Sequence, residues 1–177
     1  MGTDFLGIDK YSMKKKMDEG AAFGSRTSKL QFLGREAGNR MAPIRVLVVE
    51  DFEPFRRFIC STLGTRSNLK IIGEAADGSE AVQKAGELRP DLILLDIGLP
   101  TMNGIAAARE IRKLTPDSKI IFVTQESSAD VVQEALGTGA LGYVVKTTVN
   151  GNLLAAVDAV LEGKEYVGTI SNRSNSA

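Results

Sequence analysis

Histidine is missing from all 177 residues, which removes histidine-based metal sites, Ser-His-Asp triads and imidazole proton shuttles from consideration. A single cysteine, Cys60, excludes an intramolecular disulfide, and its place in an apolar helical pattern makes a buried structural residue the expectation. No apolar run approaches the ~18 residues of a membrane span, and the N-terminus carries no apolar stretch of signal-peptide type. A cytoplasmic chain without membrane contact is therefore expected. A strong charge of either sign is lacking as well, since 22 basic residues face 22 acidic ones. Eight of the basic and five of the acidic residues fall within residues 1–42, so the remainder holds 14 against 17 and is mildly acidic. That balance argues against a nucleic-acid-binding surface there. Carboxylates, lysines and hydroxyls are left to carry any chemistry.

Residues 1–42 contain six glycines, the run Lys14-Lys15-Lys16 and scattered apolar residues with no sustained period of 2 or 3.6. They read as a disordered leader, and Met41 is a candidate start codon just before the first clear strand. Three lysines are too few to argue for a membrane or nucleic-acid contact. One domain is expected over residues 43–167, with a polar tail over 168–177.

Within that domain the pattern alternates. Val46-Leu47-Val48-Val49 is a buried strand running into Glu50-Asp51, and a helix follows Pro54 with Phe55, Phe58, Ile59, Thr62 and Leu63 on its apolar period. Leu69–Gly73 is a shorter strand, and Asp77-Gly78 turns into a helix with Ala81, Val82, Ala85 and Leu88 inward, stopped by Pro90. Leu92-Ile93-Leu94-Leu95 is again a doubly buried strand and ends in Asp96, and beyond that turn Ile105, Ala108 and Ile111 mark a further helix, ended around Pro116. Further strands at Lys119–Val123 and Gly142–Val145 end in Thr124 and Lys146, each followed by an apolar-periodic helix. The inward residues of these helices are expected to be Val131, Val132, Ala135 and Leu136 in one, and Leu153, Leu154, Val157, Val160 and Leu161 in the other. Five strands alternating with five helices require right-handed crossovers, hence a doubly wound, five-stranded parallel α/β sheet with helices on both faces.

Gly98, Pro100, Asn103 and Gly104 are turn formers, so Asp96 stands at a strand's carboxyl end, where open parallel sheets bind ligands. An Asp that merely caps the next turn is the alternative at this residue alone. Four of five strands end in polar side chains over the same sheet edge, namely Glu50-Asp51, Asp96, Thr124 and Lys146. Clustered carboxylates repel unless a cation joins them, and an all-oxygen set suits a hard ion, so Mg²⁺ is the expected cofactor. Asp96 is then placed as a nucleophile forming an aspartyl phosphate, with Thr124 and Lys146 on the phosphoryl oxygens. A metal-free edge in which Lys146 neutralises Asp96 is the competing reading, and one ammonium cannot offset three carboxylates.

The acidic pair, the stretch Leu92–Gly104 around Asp96, Thr124, and Tyr143 three residues before Lys146 together resemble the receiver domain of two-component response regulators, over about residues 44–167. The segments Ile71–Gly78 and Gly139–Tyr143 are most similar to the NarL/FixJ-type group. The resemblance implies a flavodoxin-like sheet of order 2-1-3-4-5. It also implies Asp96 as acceptor of a phosphoryl group from a sensor histidine kinase or phosphotransfer protein. Mg²⁺ would be held by Glu50, Asp51, Asp96 and the carbonyl of Gly98, and Thr124 with Tyr143 would act as a switch. Such a chain is a signalling protein rather than an enzyme, acting through a downstream protein partner and able to pair with a second copy through helical faces. Too few residues follow Gly163 for the helix-turn-helix domain usual in that group, so no DNA binding by this chain is expected, whether it is a stand-alone or a truncated receiver.

Two positions depart from the family pattern. Gln125 stands where a small residue is usual and is expected to modulate access to Asp96, and Thr147 replaces a common proline, which disfavours a cis bond there. A phosphate-independent interaction module of the same fold is the alternative function. A Mg²⁺-dependent phosphohydrolase would want a second acid just after the nucleophile, and Ile97, Gly98 and Leu99 supply none.

Overall fold

The structure is a computed structural model and describes residues 42–168. The expected leader, up to residue 41, and the expected tail beyond Gly168 lie outside the described residues.

Six parallel strands form one sheet: β1 (Ile44–Val49), β2 (Leu69–Ala75), β3 (Leu92–Leu95), β4 (Lys119–Thr124), β5 (Gly142–Val145) and β6 (Tyr166–Gly168). Their order is β2-β1-β3-β4-β5-β6. The helices are α1 (Glu53–Gly64), α2 (Gly78–Leu88), α3 (Gly104–Leu114), α4 (Ala129–Leu136) and α5 (Val149–Leu161), with a 3₁₀ turn over Lys146–Thr148 ahead of α5. The expected order of the first five strands is present, and the sheet has one strand more than the five expected. Tyr166-Val167-Gly168 pairs with Gly142–Val144 after α5, because the chain leaving α5 returns alongside the exposed edge of β5. A three-residue strand shows too little alternation to be read as one from sequence.

The period-2 geometry of each strand divides the core into two layers. Leu92 and Leu94 pack with Ile59, Leu63, Leu153 and Val157 on the α1/α5 face, whereas Ile93 and Leu95 pack with Ala81, Ala85, Ala108 and Ile111 on the α2–α4 face. All four β3 residues are at most 1% exposed, and each contributes about 2 kcal/mol by removal from water. Residues expected inward on α4 are only partly so: Ala135 is buried, while Val131, Val132 and Leu136 lie half-covered at the layer's margin. On α5, Leu153, Val157 and Val160 are buried, while Leu154 and Leu161 are partly so. Cys60 is likewise half-buried rather than buried, packed at the edge of the α1/α5 layer.

Register brings the strand ends together. Val49 is level with Leu95, Leu95 with Phe122, and Thr124 with Val145. The residues that follow each strand therefore converge on one edge.

Candidate functional site

Glu50 and Asp51 leave β1 just before α1, which Pro54 opens at a position where no amide is needed. Glu50 is fully buried; its amide donates to the Ala75 carbonyl at 3.0 Å, and its carbonyl accepts from Arg56 Nη1 at 2.6 Å. Arg56 also reaches Glu74 Oε2 at 3.0 Å, so one guanidinium ties the acidic turn to β2. Asp51 is exposed.

Asp96 continues β3 by donating its amide to the Val49 carbonyl at 3.0 Å, which sets it beside the acidic pair. It is 5% exposed, its Oδ1 accepts from the Gly98 amide at 3.3 Å, and its Oδ2 accepts from Lys146 Nζ at 2.7 Å. The loop turns back at once because α3 begins against it. Asn103 caps α3 by accepting the Ala106 amide at 2.8 Å, and a Cβ on Gly104 would overlap the Asp96 carbonyl oxygen and approach its carbon to 2.8 Å. Only glycine permits that approach.

Lys146 enters from β5. Its Nζ donates to Glu50 Oε1 at 3.0 Å and lies 2.8 Å from Oε2, while its stem passes the Phe55 ring with Nζ 4.8 Å from the centroid. The competing sequence reading is thus half realised: Lys146 does pair with Asp96, yet it pairs with Glu50 as well, and a single ammonium stands against a cluster of three carboxylates. Burial pushes the Glu50 carboxyl above its ordinary 4.5, helped by the nearby Asp96 charge and opposed by Lys146. For Lys146 burial acts to lower the pKa, but the hydrogen bonds to Asp96 and Glu50 outweigh it and the net shift is upward.

Thr124 ends β4, is 1% exposed, and accepts from the Glu126 amide at 3.4 Å. Tyr143 is fully buried on β5 and points inward, its hydroxyl donating to the Glu126 carbonyl at 3.0 Å. Burial, with the Glu126 and Asp96 charges, pushes its phenol up to about 12. Gln125 is exposed on the rim of the cleft.

These groups meet at a cleft of about 440 Å³ that Phe52 and Phe55 also line. The cleft unites Glu50, Asp51, Asp96, Gly98, Thr124, Gln125 and Lys146; Tyr143 stands behind it, in contact through Glu126. Phe55, Arg56 and the Glu126 backbone are participants the sequence reading missed. Phe55 and Arg56 lie one turn beyond Asp51, a usable signal, whereas a backbone carbonyl leaves none.

One carboxylate oxygen each from Glu50, Asp51 and Asp96 lies within 4.8 Å of the others. Buried Glu50 Oε2 receives no directed hydrogen bond. An all-oxygen donor set with an acceptor left over fits a hard divalent cation, so the residues suit Mg²⁺. The Thr147 peptide bond is trans, as are all peptide bonds among the described residues.

A family model described as the response regulator receiver domain matches residues 46–158. The response regulator protein VraR of Staphylococcus epidermidis is 39% identical over 121 residues, covering 68% of this chain and 58% of that protein. A two-component response regulator of the LuxR family from Aurantimonas sp. SI85-9A1 superposes with a TM-score of 0.68 at 30% identity, covering 71% of this chain and 89% of that one. The CheX–CheY–BeF₃–Mg²⁺ complex from Borrelia burgdorferi gives a TM-score of 0.62 at 30% identity, covering 68% of this chain and 90% of that one. The chain spans somewhat over half the length of the curated relatives it matches.

Proposed function

The chain belongs to the response regulator receiver domain family, and on that premise we propose that it takes a phosphoryl group on Asp96 and relays that charge change to a protein partner. The observation that carries this reading is Asp96 itself, a 5%-exposed carboxylate at a cleft edge with Lys146 Nζ 2.7 Å from one oxygen. Burying an acid there is costly unless the site uses it.

In the step, an Asp96 carboxylate oxygen attacks phosphorus in line as the P–N bond of a phosphohistidine breaks. The leaving imidazole keeps the bonding electron pair and takes a proton from solvent. Lys146 offsets the charge that Asp96 and the phosphoryl oxygens share, and the Thr124 hydroxyl donates to one of those oxygens. Asp51, Glu50, Asp96 and the Gly98 carbonyl are the residues suited to hold Mg²⁺, which when bound supplies further charge neutralisation.

Drawing Thr124 toward a phosphoryl oxygen competes with its bond to the Glu126 amide, and Glu126 also accepts the Tyr143 hydroxyl. The β4–α4 loop is thereby the element whose packing the modification biases. Receiver domains interact with histidine kinases or phosphotransfer proteins, and a sensor kinase or phosphotransfer protein is the donor proposed here. The acidic balance of residues 43–177 supports a protein rather than a DNA output for this domain.

Intact-protein mass after incubation with acetyl phosphate and Mg²⁺ tests the proposal. One phosphoryl adduct on the wild-type chain, absent in Asp96→Asn, is expected. Labelling that persists in Asp96→Asn rejects the site, and no labelling of the wild type favours a phosphate-independent module.

A further inference from the structure

We propose that Gly78, the first residue of α2, is a positioning residue for the phosphoacceptor loop, an inference that rests on the function proposed above. Its missing side chain lets the start of α2 act as a backstop that sets where the loop from Asp96 to Asn103 stands.

A Cβ on Gly78 would overlap the Met102 carbonyl oxygen and come within 2.9 Å of its carbon. Both are backbone atoms, so the loop itself would have to move, unlike a flexible side-chain tip that swings aside. Little slack exists to absorb that motion. Thr101 already adopts φ 62°, a left-handed conformation unusual for a β-branched residue. The Gly104 amide donates to the Ile97 carbonyl at 2.9 Å, and the Met102 amide to the Pro100 carbonyl at 2.6 Å, so both ends of the loop are tied.

The backstop is rigid for reasons local to α2. Asp77 caps the helix by accepting the Glu80 amide at 2.9 Å, and Glu80 Oε2 in turn accepts the Ala76 amide at 2.8 Å. These reciprocal bonds pin the residues on either side of Gly78. The same turn holds the acidic pair, because the Ala75 carbonyl accepts the Glu50 amide at 3.0 Å. Residues 75–78 therefore touch both the backbone of Glu50 and, at Met102, the far side of the loop that follows Asp96 and Gly98.

The test is Mg²⁺ affinity of the full, unphosphorylated chain by calorimetry. Gly78→Ala is expected to weaken binding about tenfold, the scale on which groups that orient metal ligands act. Gly73→Ala is the packing control: its Cβ would meet Leu88 Cδ1 at 2.7 Å, a crowded site on β2 away from the loop, and wild-type affinity is expected. Wild-type affinity in Gly78→Ala overturns the inference, as does an equal loss in both variants. Should Gly78→Ala not fold, Asp77→Ala and Asp77→Asn decide, since both remove a charge and only Asn keeps the cap. Weaker binding in Asp77→Ala than in Asp77→Asn supports the backstop, and equal binding overturns it. A wild-type chain that neither binds Mg²⁺ nor labels on Asp96 overturns the functional reading and this inference together, whereas wild-type binding with Gly78→Ala unchanged overturns the inference alone.

Discussion

Lys146 Nζ stands 2.7 Å from Asp96 Oδ2, so the ammonium proposed to balance a phosphoryl group already engages one of the two oxygens of the carboxylate that would receive it. The same ammonium lies 2.8 Å from Glu50 Oε2, with only 13% of the Lys146 side chain exposed. The lysine is both the neutraliser of the resting site and a competitor for any cation that enters. Lys146→Met keeps the stem and removes the charge. Expected are a loss of roughly 2–3 kcal/mol of stability without metal, from carboxylates left buried and unpaired, and tighter Mg²⁺ binding. Denaturant titration with and without Mg²⁺ measures both; weaker Mg²⁺ binding in the variant would contradict the competition.

Asp51→Asn should leave the fold intact and weaken Mg²⁺ about tenfold or more, because an exposed carboxylate within reach of two buried ones is the ligand with least to lose by approaching a cation. Without metal the variant should be no less stable than the wild type, since one repulsive charge is gone. Calorimetry showing unchanged affinity would sink the ligand assignment.

Gln125→Ala concerns rate rather than affinity. The side chain stands on the cleft rim beside Thr124, and in-line transfer is sensitive to misplacement of donor or water by ~1 Å, worth up to about 100-fold. Both labelling by acetyl phosphate and loss of the adduct should speed up in the variant. Equal rates in wild type and variant would remove Gln125 from the reading.

Tyr143 gives a pH dependence of definite sign. Its phenol moves from an ordinary 10 to about 12 in the folded chain. Between those values the folded state keeps a proton that the unfolded state has lost, so stability is full below pH 10 and falls as pH rises toward 12. The loss is on the order of 2–3 kcal/mol. Tyr143→Phe should flatten that part of the alkaline unfolding curve while costing about 1 kcal/mol at neutral pH through the lost bond to the Glu126 carbonyl. An alkaline profile unchanged by the substitution would rule out this origin.

Much of the fold and the candidate site was legible in the chain because both are written in local pattern. Four-residue apolar runs ending in acid, hydroxyl or amine announce buried strands with a polar tip. Parallel pairing then forces every tip to the same sheet edge, so Glu50, Asp51, Asp96, Thr124 and Lys146 converge without any knowledge of distances. The sidedness of Ile93 against Leu94 follows from the same periodicity, whereas the order of the first five strands came from the resemblance to receiver domains and not from the pattern itself.

What the tertiary structure alone decided are relations between segments that carry no mutual signature. Tyr166–Gly168 becomes a strand only because β5 offers an open edge. Lys146 finds Phe55 beside it because the start of α1 and the turn after β5 meet at the same end of the sheet, some ninety residues apart in the chain. The inward pose of Tyr143 depends on a carbonyl at Glu126, and the place of the Asp96 loop on a glycine at the head of α2. Backbone atoms are the same at every residue, so contacts made through them leave no trace in composition or period. They are set by how closely helices and loops approach once the core has packed, which is a property of the assembled layers.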